Sequence, residues 1–172
     1  MKNRIFSVAA IMLAFASTSF AQSTAYGTTT AVLVTPISIS KTTDMHFGTV
    51  AASAIAGTVV LDYANGRTAT GGASLPAGST TQTTAVFAVV GEGTSGFAIT
   101  IPSAPITLTG SVSGTMTVGT FVCDAGATSA LVAGAKTLKV KATLNVPANT
   151  VAGTYEHAAL DGTGLFVTVN YN

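Results

Sequence analysis

An all-β, antiparallel sandwich is the fold class this sequence predicts, and three observations predict it. Beyond residue 21, no window spaces its apolar residues at three-and-four intervals among good helix formers. Thr, Val and Gly dominate instead, the composition of short strands between turns. About ten short runs alternate apolar and polar side chains with the period of two that a half-buried strand requires. Several of these runs open on Gly-Thr: Gly48-Thr49, Gly57-Thr58, Gly114-Thr115 and Gly153-Thr154. Glycine supplies the turn there, and the β-branched residue begins the strand.

The elements follow in order. Met1-Lys2-Asn3-Arg4 is a basic head, residues 5–15 are apolar, and Ser19-Phe20-Ala21 suits cleavage before Gln22. Residues 1–21 therefore read as an export signal, too short an apolar run for a spanning helix with proper flanks. Residues 22–172 form the predicted single sandwich domain. Residues 30–41 (TAVLVTPISISK) are extended, with Pro36 interrupting the run of backbone donors. Residues 44–50 place Met45 and Phe47 on one face, and 57–63 place Val59, Leu61 and Tyr63 together. Asn65-Gly66 is a tight-turn dipeptide, so 57–70 reads as a hairpin. A Gly-rich loop covers 71–79. Residues 83–90 are apolar on both faces, as in a central strand. Runs at 97–101, 106–109 and 115–123 follow. In 136–146, Leu138, Val140, Ala142, Leu144 and Val146 face in, while Lys139 and Lys141 on the wet face read as protection against edge pairing. The last pair is predicted at 154–160 and 164–171, joined by Asp161-Gly162. In the final run Leu165, Val167, Val169 and Tyr171 share one face, and Phe166, Thr168, Asn170 and Asn172 share the other.

Composition narrows the function. Without residues 1–21, five basic residues face six acidic ones, a formal charge of −1. That is no cationic footprint for nucleic acid. Charged residues make up 8% of the chain, against about 25% in an ordinary soluble domain. The exposed faces must be Thr, Ser, Ala, Gly and Asn, a surface poorly defended against association. This points to burial in an assembly or to a neutral polar coat. Cys123 is the only cysteine, so no intramolecular disulfide can form; a buried thiol acting as a small hydrophobe is the favoured reading.

Motifs that carry chemistry do not survive inspection. Gly91-Glu92-Gly93-Thr94-Ser95-Gly96 has the dinucleotide spacing, but a strand-like run follows where a helix N-terminus would have to hold the pyrophosphate. Ser38 and Lys41 have the spacing of a serine–lysine nucleophile pair, yet in a strand they point to opposite faces. His46 and His157 have no nucleophile elbow beside them and read as surface polar residues. Glu156, His157 and Asp161 could not all reach one metal ion, because adjacent strand residues point apart. No enzyme activity, cofactor or metal is expected.

Three segments together carry a family likeness: 35–41 (TPISISK), 45–50 (MHFGTV), and Ala152-Gly153-Thr154-Tyr155 leading to 166–171 (FVTVNY). They resemble the secreted bacterial family known as domain of unknown function 4402, over nearly the whole of 22–172. The same skeleton is similar to subunits of archaic chaperone–usher pili and spore-coat-like fimbrial proteins. That resemblance implies an immunoglobulin-like sandwich lacking one strand, completed by a neighbour's N-terminal segment. Ala31, Val32, Leu33, Val34, Ile37 and Ile39 would form the donor. Leu165, Val167, Val169 and Tyr171 would line the acceptor groove. The chain would then be an exported, non-enzymatic subunit of a fimbria-like surface fibre, in the periplasm, at the cell surface or in an extracellular fibre of a bacterium. Its expected partners are copies of itself or related subunits, with a periplasmic chaperone possible in the resemblance. A free-standing secreted or periplasmic sandwich that binds a surface partner is the alternative. If these donor residues pair within their own domain instead, the fold is complete and no donor strand is left to add.

Overall fold

The computed structural model describes residues 22–78, 81–157 and 164–172. The expected export signal and the 161–162 turn lie outside these. The chain divides into two units, one ending at Leu33 and one spanning Val34–Asn172. In the first, residues 22–33 form no strand and are exposed throughout.

The second unit is an antiparallel β-sandwich, with no helix among the described residues. Its strands are β1 (Ser38–Thr43), β2 (Gly57–Leu61), β3 (Arg67–Gly71), β4 (Ala85–Val90), β5 (Gly96–Thr100), β6 (Ile106–Gly110), β7 (Thr115–Cys123), β8 (Thr128–Ala130), β9 (Ala135–Val146), β10 (Tyr155–Glu156) and β11 (Thr168–Tyr171). The larger sheet runs β1-β4-β9-β7-β6-β10, with β2 attached to β9 and β3 attached to β2. The smaller sheet runs β11-β5-β8.

β9 organises the interior. Its first half pairs with β4, its second half with β2, and β7 covers its other side. Leu138 and Val140 therefore enter one core, with Phe87, Val89, Phe97, Ile99, Leu131, Val167 and Val169. Ala142, Leu144 and Val146 enter a second core with Val59, Ala73 and Val118. β9 is thus a central strand, and its lysines guard no edge. Lys141 lies over the Tyr63 ring, 5.1 Å from its centroid, and Lys139 Nζ donates to the Tyr63 carbonyl at 3.2 Å. Half-buried stems and a cation on a ring face are how a long cationic side chain covers apolar surface.

The 57–70 hairpin is present, with a five-residue connection because Leu61 pairs with Arg67. Asn65 takes the left-handed conformation (φ 66°) that asparagine tolerates. Its side-chain oxygen then accepts the Thr84 N–H at 2.7 Å, tying the turn to the approach to β4.

Four expectations change. Residues 30–37 are not strand; pairing begins at Ser38, after Pro36, which has no N–H to give. Residues 44–50 keep their inward Met45 and Phe47, but their backbone contributes only an isolated bridge, His46 to Thr83. The Arg67 guanidinium takes the carbonyls of Phe47 and Thr49 instead, replacing ladder bonds. β8, a three-residue strand of small side chains, has no alternating apolar pattern to announce it. Finally, β10 and β11 are not partners of one another: β10 pairs with β6 in the large sheet and β11 with β5 in the small one.

Candidate assembly edge

The C-terminal segment keeps the alternation read from the sequence, although pairing begins only at Thr168, so 164–167, with Leu165 and Val167, precede the strand. Val167 and Val169 are buried in the first core, Leu165 and Tyr171 are half-buried against it, and Phe166, Thr168, Asn170 and Asn172 are exposed. β5 holds this strand in place, opposite Thr168 to Tyr171, and the Asn172 N–H donates to the Gly96 carbonyl at 3.2 Å. Residues opposite one another in an antiparallel pair alternate between bonded and non-bonded pairs. With Asn172 bonded to β5, Asn170 and Thr168 bond inward too. The N–H and C=O groups of Val169 and Tyr171 therefore point to the outer side. Among the described residues, no strand pairs with that outer side. Residues 164–172 contain no charge and no proline.

Tyr171 ends this strand in a small network. The Glu92 N–H donates to its phenol oxygen at 2.6 Å, and the phenol O–H donates to the Thr35 carbonyl at 2.7 Å. The Thr35 N–H donates to Glu92 Oε2 at 3.0 Å. Both backbone polar groups of Thr35 are therefore held, one by a carboxylate and one by a phenol. The Thr35 N–H holds the Glu92 carboxyl below its ordinary value. Gly91 makes room for this, since a β-carbon there would run into the Tyr171 hydroxyl. A hollow of about 300 Å³ lies alongside, lined by Val34, Ser95, Gly96, Tyr171 and Asn172.

The proposed donor residues divide. Ile37 and Ile39 pack against the first core of their own chain, with Ile39 opposite Val89 across β1 and β4. Ala31, Val32 and Leu33 are exposed and outside any strand, Leu33 fully, and Val34 is half exposed. An exposed Ala-Val-Leu-Val run is a β-prone segment without a partner among the described residues. Sequence reasoning missed Glu92, which entered only as part of the rejected glycine motif at 91–96. Nothing in the local pattern signals a partner 57 residues away.

The remaining polar candidates stand apart. His46 Nδ1 accepts the Gly48 N–H at 2.8 Å, and His157 Nδ1–H donates to the Thr107 carbonyl at 3.0 Å. Cys123 is buried, and burial pushes its thiol above the ordinary value. Among the described residues, no group of three or more His, Cys, Asp or Glu side chains could hold a metal ion. Nor does any helix there have the length and apolarity to cross a membrane.

The family model for a domain of unknown function, DUF4402, matches residues 37–171, which includes β1, β11 and every strand between. The chain belongs to the DUF4402 family. No curated protein and no solved structure gives a significant match. The DUF4402 match begins at Ile37, so the exposed run at 31–34 lies just outside it and β1 just inside.

Proposed function

We propose that this DUF4402 protein is an exported, non-enzymatic structural subunit of a fimbria- or pilus-like surface fibre, assembled by β-strand addition. The observation that carries the reading is the outer edge of β11. It is backed by a packed core, free of charge and proline, and open on its bonding side among the described residues. A strand added there gains main-chain bonds along its length and pockets for alternate side chains. The segment suited to be added is the exposed run Ala31-Val32-Leu33-Val34 of a second copy. Ile37 and Ile39 serve their own sandwich and fix the root of that run. Such an interface is heterologous, edge to tail, and it builds open filaments where the rotation does not close. The low charge of the chain accords with faces covered by neighbours.

The test is deletion of residues 22–34, which leaves β1 and Ile37 intact. The expected product is a folded monomer with the circular dichroism of the parent and no fibres by electron microscopy. Fibres of normal length from the truncated chain would refute strand donation.

A further inference from the structure

Tyr171 belongs to two systems at once. Its backbone N–H and C=O lie on the outer side of β11, unpaired among the described residues, where an added strand would bond. Its hydroxyl, with Glu92, holds the Thr35 peptide from which the run at 31–34 departs. We infer that Glu92 and Tyr171 couple the two ends of assembly: filling the β11 edge of one copy firms the grip on Thr35 and so orders that copy's own outgoing run. This inference rests on the fibre reading above.

The physical basis is fraying. β11 is only the four residues Thr168–Tyr171, at the edge of the smaller sheet, and short edge strands open locally. On its inner side β11 is held by β5 alone. An added strand bonding to Val169 and Tyr171 would immobilise the ring's anchor point, and with it the hydroxyl. Glu92 comes from the turn after β4, a different element, so its side chain contributes to the grip without forming part of the docking edge. The coupling is reciprocal: whatever edge occupancy adds to the hold on Thr35, the hold on Thr35 returns to edge affinity. Growth at one end of a subunit would then prepare the other end, which favours long fibres over scattered pairs.

The test uses the full chain and a synthetic peptide of residues 28–36, with amide hydrogen exchange as the readout. Peptide binding at the edge is registered by protection of the Val169 and Tyr171 amides. Coupling predicts that the Thr35 amide also gains protection, by about fivefold, the equilibrium factor that one net hydrogen bond commands. In Glu92→Ala the peptide still protects Val169 and Tyr171, with affinity lower by a similar factor, while the gain at Thr35 disappears. Tyr171→Phe, which keeps the ring but removes the hydroxyl, does the same. Unchanged exchange across β9 in both variants separates a lost grip from a damaged fold. Protection of the edge amides with no change at Thr35 would overturn the coupling alone. Failure of the peptide to protect the edge amides at all would overturn the coupling and the fibre reading together.

Discussion

β1 and β11 are both unpaired on their outer sides among the described residues, yet the two edges are built in opposite ways. β1 carries Lys41, held by an ion pair with Asp44, and its register slips between Lys41 and Thr43. Thr42 also turns its hydroxyl back onto the Val86 carbonyl, 3.0 Å away. A lysine and a bulge are standard means of blunting an edge against stray pairing. β11 has neither: its register against β5 is unbroken, and its exposed side chains are Thr168 and Asn170. Among the described residues one edge is guarded and the other is not, which is the contrast that strand addition at β11 would require. That contrast supports strand addition at β11 more firmly than any single motif.

The largest effect should come from the cores behind the two edges. Phe97, fully buried in β5, backs β11. Phe97→Ala is expected to destabilise by about 3–5 kcal/mol, the usual range for a buried aromatic truncation. Ile39, half-buried in β1, should cost roughly half as much as a fully buried isoleucine, about 1–2 kcal/mol for Ile39→Ala. Urea unfolding measures both, and equal losses would mean that β11 is no better supported than β1. A double change that charges the bare edge, Thr168→Lys with Asn170→Lys, touches only exposed side chains. Stability should stay within about 0.5 kcal/mol, while self-association by analytical ultracentrifugation disappears. The converse, Lys41→Ala, removes the guard from β1. It should alter stability by less than about 1 kcal/mol and add a second, disordered mode of association; fibres as regular as the parent's would show that Lys41 guards nothing.

The smallest effect concerns pH. Glu92 has its carboxyl lowered from the ordinary 4.5 by the Thr35 N–H. A carboxyl lowered in the folded state contributes stability that is fully present above the ordinary value and lost as pH falls through the folded value. The grip on Thr35 should therefore hold at neutral pH and loosen on acidification below about 4.5. Exchange of the Thr35 amide, corrected for its intrinsic pH dependence, reports this directly. The same acid response in Glu92→Gln would assign the loosening to another group.

Much of the sandwich was legible because period-two alternation is a local property of the chain. The inward row of β9 and the shared apolar face of Val167, Val169 and Tyr171 stood where the pattern put them. Residues 44–50 misled because their side chains alternate like a strand while Arg67, 20 positions from Phe47, satisfies the carbonyls. The proposed donor was partly legible: one apolar pattern covered 31–39, and nothing in it marked Ser38 as the start of pairing. The Glu92–Tyr171–Thr35 network was not legible, since its members are far apart in sequence and none has a distinctive neighbour.

Local residue order is enough to make this chain form strands, to set which faces of them are apolar, and to leave its surface almost uncharged. These follow from side-chain periodicity and composition, both carried by short stretches. Which strands pair was settled by packing across the whole molecule. β10 and β11, adjacent in sequence, went to different sheets, β1 joined its own sandwich, and the outer side of β11 was left without a partner among the described residues. Pairing is a contest among many compatible strands. Its outcome depends on how two sheets pack over one long β9 and on which backbone groups remain to be satisfied once they do.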